Sequence, residues 1–98
     1  MGMHPSEAYE YVVEAGRECG FEVNGWARDG KVLEVYGSSP DDGPDIELQI
    51  ILFDGFVLIP EHYDINLKDK VQERVEVFAK RLSAISGENA VVDMKWVP

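Results

Sequence analysis

Glu61, His62 and Asp64, in the run PEHYD, are the residues whose types and spacing come nearest to chemistry. An imidazole beside carboxylates serves as a base with its orienting acid, or as a metal ligand pair, provided that one pocket wall holds all of them. In a strand His62 points away from both Glu61 and Tyr63, because successive side chains alternate between faces. A strand-to-helix junction with Asp64 as a capping residue accounts for the same three residues. The other histidine, His4, stands close to the first residue. The acids of SSPDDGPD, among them Asp41, Asp42 and Asp45, raise the question of calcium. A calcium loop requires ligands alternating with spacers and a distal glutamate, which this run lacks, so a solvated polar connection is expected there.

Other catalytic signatures are missing. The chain has no phosphate-cradling glycine loop, no dinucleotide fingerprint, no paired C-x-x-C, no H-E-x-x-H and no serine elbow. Ser38 and Ser39 have no evident histidine partner. With 19 acidic residues a pair of carboxylates for acid-base work can be chosen at will, which makes any such choice uninformative. The single cysteine, Cys19, falls on the apolar side of a helix and is expected to be a structural thiol. The expectation is a non-enzymatic protein with no catalytic residues, no metal and no cofactor.

The elements that would position these residues follow from periodicity. Ala8, Val12, Ala15 and Cys19 recur at helical spacing, with Pro5 suited to a first turn, His4 or Ser6 to the N-cap and Gly20 to the C-terminal cap. The spacing predicts a helix over residues 5 to 19. Its outer side carries Glu7, Glu10, Glu14 and Glu18, an acidic strip interrupted only by Arg17. Two runs of strand-forming residues surround Asp29-Gly30, a pair suited to a two-residue turn that sets Arg28 opposite Lys31. A bulge at Asn24-Gly25 would bring Phe21 and Val23 to the same face as Trp26.

A second pair, Asp54-Gly55, predicts another two-residue hairpin in which Phe53 faces Phe56 and Ile51 faces Leu58. Ile46, Leu48, Ile50 and Leu52 then share the core face with Val57 and Ile59, which leaves Ile51, Phe53, Phe56 and Leu58 on the other side. Leu67, Val71, Val75, Phe78, Leu82 and Ile85 mark a second helix, capped by Asp64 or Asn66 and ended by Gly87. The alternation of Val92, Met94 and Trp96 with Asp93 and Lys95 marks a last strand. The predicted fold is one α+β domain over residues 1–98, in the order α-β-β-β-β-α-β. Its sheet is mostly antiparallel, built from two Asp-Gly hairpins and a C-terminal strand, with both helices on one face.

Composition, 45% hydrophobic and 29% charged, is that of an ordinary globular chain. Neither a membrane span nor a secretory leader is recognisable, and the cytoplasm is the expected location. The net charge is −10 and unevenly placed: residues 1–64 carry 14 acidic and 3 basic side chains (net −11), residues 65–98 carry 5 and 6 (net +1). Such a field disfavours direct nucleic-acid binding and steers toward a protein with a basic surface. Trp26, Tyr36, Phe53 and Phe56 are too acidic in their surroundings for a base-stacking platform. In size and acidity, though in no motif, the chain resembles phage-encoded inhibitors such as anti-CRISPR and DNA-mimic proteins. That resemblance implies an inhibitor seated in the nucleic-acid-binding site of a partner, contacted through Glu7, Glu10, Glu14, Glu18, Asp41, Asp42 and Asp45. The alternative is a homo-oligomeric scaffolding domain, most simply a homodimer, joined through Ile51, Phe53, Phe56 and Leu58, since monomers rarely expose a large apolar patch. Plain solubility would account for the acidity without any charge-based partner.

Overall fold

The structure, a computed structural model, describes residues 4–29, 32–38, 46–61 and 65–94. Helix α1 (Pro5–Glu18) starts at His4, whose Nδ1 accepts the backbone N–H of Ser6 at 3.2 Å. Strands β1 (Glu22–Asp29), β2 (Val32–Ser38), β3 (Ile46–Leu52) and β4 (Phe56–Glu61) follow as an antiparallel meander. A short 3₁₀ turn (Ile65–Leu67) leads into helix α2 (Lys68–Ser86), and β5 (Ala90–Val92) lies parallel to β4. The order across the sheet equals the order along the chain. The helical return between β4 and β5 is what allows a parallel pair, since parallel strands require a long crossover. The α+β class and the element order are those that the periodicity predicts.

One apolar layer joins both helices to one side of the sheet. Ala8, Val12 and Ala15 of α1 and Val71, Val75, Phe78, Ala79 and Leu82 of α2 are buried together with alternate residues of β2, β3 and β4. Each helix presents the stripe that its spacing requires, and the strands present every second side chain. Phe78 meets Phe21 with ring centroids 6.4 Å apart, and the Arg74 guanidinium caps the outer side of Phe21 at 5.3 Å. The β1–β2 register shifts between Val23 and Gly25, which is the bulge that Asn24-Gly25 suggests, and Phe21 is buried with the core.

Two registers differ from expectation. In the first hairpin Asp29 pairs with Val32 and Trp26 with Val35, so the connection is centred one residue later than Asp29-Gly30. Leu33 and Val35, which share one side of β2, are both buried. In the second hairpin Leu52 pairs with Phe56, Ile51 with Val57 and Ile50 with Leu58. Phe53, Asp54 and Gly55 together form the loop, and the one-residue slip reverses β4. Phe56 and Leu58 are therefore core residues, 1% and 0% exposed, and not members of a surface patch. Val57 moves to the side without helices.

The cause lies at the loop. Asp54 and Gly55 both have positive φ, 49° and 115°, and Gly55 sits so close to Asn89 that a Cβ there would stand 2.3 Å from the Asn89 carbonyl oxygen. The N–H of Phe56 donates to the same carbonyl at 2.8 Å. The tip is thus held to the connection between α2 and β5, and Phe56 turns inward beneath it. At the start of α2 the N-cap position is Leu67, without a side-chain cap bond, and not Asn66; Asp64, the other predicted cap, lies outside the described residues. Gly87 ends the helix as predicted.

Candidate functional site

Glu7, Glu10, Glu14 and Glu18 all lie on the exposed side of α1, opposite the buried stripe. Their like charges at helical spacing oppose the helix by a few tenths of a kcal/mol per pair. Local cations relieve half of the strip. Arg17 stands 3.7 Å from Glu14, and Arg81 of α2 reaches Glu18 at 3.4 Å. Solvent-exposed pairs of this kind contribute about 0–1 kcal/mol. Glu7 and Glu10, in the first two turns, take part in neither of these ion pairs. Asp41, Asp42 and Asp45 lie outside the described residues, as do His62, Asp64 and Trp96.

The second candidate surface is the side of the sheet that carries no helix. The registers align Val32, Ile51, Val57 and Val91 in one row across β2, β3, β4 and β5. The next row holds Glu34, Gln49 and Ile59, and the one after it Tyr36, Glu47 and Glu61. Apolar side chains thus border the β3–β4 loop, and carboxylates gather at the far end. Phe53 projects from the loop at 70% exposure, while Val91 is 53% and Tyr36 49% exposed. Of the four residues assigned to this patch from the sequence, Ile51 lies on this side and Phe53 at the loop beside it. Val32, Val57 and Val91 were missed, because their membership depends on register and on the parallel placement of β5. Phe56 and Tyr36 face opposite sides of the sheet, so the aromatic residues do not assemble into one platform.

Glu34, Tyr36, Glu47 and Glu61 line a shallow pocket of ≈ 70 Å³. Glu47 and Glu61 are directly opposed on neighbouring strands, an arrangement of like charges that destabilises a sheet. Among the described residues no group of three His, Cys, Asp or Glu side chains is arranged to hold a metal ion. Nor is any described helix long and apolar enough to cross a membrane.

Cys19 is half-buried at the end of α1, with Sγ 3.9 Å from the Val77 carbonyl of α2. Burial pushes its thiol pKa up; Arg81 pulls it down and Glu18 adds to the rise. The folded state therefore favours the neutral thiol. That contribution to stability is present below the ordinary thiol pKa and is lost as pH climbs through the raised one. Thiol–disulfide exchange at Cys19 near neutral pH is expected to be slower than for a free cysteine, with a rate profile displaced to higher pH. A stopped-flow assay with a disulfide reagent checks this, and a rate above that of free cysteine is the contrary result.

Comparison with protein-family models, with curated proteins and with solved structures returns no match for this chain.

Proposed function

We propose that the chain is a non-catalytic protein-binding module whose acidic surface occupies a basic, nucleic-acid-binding site on a partner protein. The observation that carries this reading is the exposed glutamate strip of α1, of which Glu7 and Glu10 lie outside the two ion pairs that temper Glu14 and Glu18. Like charges at these spacings oppose the helix, a cost that the N-terminal dipole offsets only at Glu7, yet the strip complements the Lys and Arg side chains that a nucleic-acid site must present. Cytoplasmic residence fits such a role.

The test uses a basic nucleic-acid-binding protein as the partner, with binding measured from low to high salt and in competition with duplex DNA. Binding is expected to fall steeply with salt and to be displaced by the DNA. Glu7→Gln with Glu10→Gln is expected to weaken it more than Glu14→Gln with Glu18→Gln, which also release Arg17 and Arg81. Salt-independent binding, or equal effects of the two double variants, sinks the reading.

A homo-oligomeric scaffold remains the second reading, favoured by the row Val32, Ile51, Val57 and Val91. It loses part of its motive with Phe56 and Leu58, which belong to the core.

A further inference from the structure

The side of the sheet without helices combines two properties that α1 lacks. Its apolar row spans four strands, and two rows away stand Glu47 and Glu61 with Glu34 diagonal to them. No lysine or arginine stands on this side among the described residues of β2 to β5. A second copy of the chain is a poor occupant. A two-fold interface places the same patch on both sides, so each copy brings carboxylates and no described cation to meet them. A partner with apolar side chains bordered by Lys or Arg satisfies both ends at once. The row supplies the dry centre that carries most binding energy, and the carboxylate end supplies orientation and rejects acidic partners. The pocket between Glu34, Tyr36, Glu47 and Glu61, at ≈ 70 Å³, has room for an ammonium or guanidinium head.

We infer that this sheet face is the docking surface for a protein partner, taking apolar side chains on the Val32, Ile51, Val57 and Val91 row and a Lys or Arg side chain between Glu34, Glu47 and Glu61. The inference rests on the binding-module reading and adds the face and the chemistry of what docks there. Relief of the Glu47–Glu61 repulsion on binding makes the cation part of the recognition, not an accessory to it.

The experiment titrates the full chain, with amide resonances assigned, with a synthetic extended peptide carrying Val at alternate positions in one half and Lys at alternate positions in the other. Control peptides replace Lys by Glu or Val by Ser. Shifts are expected to concentrate on residues 32–36, 47–51 and 57–61, with both controls binding about tenfold more weakly. Ile51→Thr, which keeps a β-branched side chain in the strand, and the pair Glu47→Gln with Glu61→Gln are expected to weaken the parent peptide to a similar degree, the first melting close to the wild type and the second no lower than it. Glu73→Gln, at an exposed position of α2, leaves it unchanged. Shifts confined to α1 overturn the docking face while leaving the acidic-module reading in place. Absence of shifts with every peptide overturns the docking face as well. A concentration-dependent dimer, abolished by Ile51→Lys, assigns the face to a second copy and also overturns it.

Discussion

Phe56→Glu is expected to unfold the domain, not to yield a soluble folded monomer. The ring is 1% exposed, and a carboxylate in its place has no described partner within the apolar layer. Phe56→Ala removes the same contacts without adding charge and is expected to cost about 3–5 kcal/mol. Against a total stability of roughly 5–15 kcal/mol for a typical domain, either change is severe. Phe53→Ala, only three residues away and 70% exposed, is expected to stay within about 0.5 kcal/mol of the wild type. Urea unfolding of the Phe56→Ala and Phe53→Ala variants therefore reads the hairpin register directly. Comparable small losses at both positions would reinstate the two-residue turn and turn β4 over.

Gly55→Ala is the second large effect, and it acts through the same loop. The added Cβ meets the Asn89 carbonyl at 2.3 Å, and a φ of 115° is one that alanine adopts poorly. Strain and overpacking each contribute about 1–3 kcal/mol here. Gly20→Ala isolates the first contribution, since Gly20 has φ 81° and nothing within 4 Å of its would-be Cβ. It is expected to lose about 1 kcal/mol, consistent with conformational cost alone. Calorimetric melting of both variants separates the terms. Equal losses would mean that the tip is not seated against Asn89.

These two positions also mark where the sequence stops being legible. α1 and α2 have one apolar stripe each, so their faces follow from spacing: Ala8, Val12 and Ala15 in one, Val71, Val75, Phe78 and Leu82 in the other. The β1 bulge follows from Asn24-Gly25 in a strand whose flanking apolar residues otherwise fall out of phase. The run FVLIP offers no such choice. Phe56 and Leu58 are apolar, and so are Val57 and Ile59, so alternation permits either side to be inward. Asp54-Gly55 then suggests the commoner two-residue turn, whereas the outcome depends on Asn89, more than thirty residues later. Ile59, for its part, is buried although it stands outside the core cluster on the side without helices. The acidic strip of α1 was legible because a helix exposes charge wherever its stripe is not. The sheet face was not, because a contact row across four strands exists only once all registers are known.

The bulge in β1 and the brevity of β5 share a consequence for how this molecule meets others. These are the two margins of the sheet, where unpaired backbone groups invite another chain to add a strand. At one margin the register shift between Val23 and Gly25 interrupts the ladder and twists it away from a flat template. At the other, among the described residues, only Ala90, Val91 and Val92 are in strand conformation, too few for a lasting ladder. Growth of the sheet by edge addition, the route to domain swapping and fibres, is blunted at both ends. Any association of this chain would then fall to side chains on the faces, where choice depends on shape and charge instead of on backbone pairing that any sequence can provide.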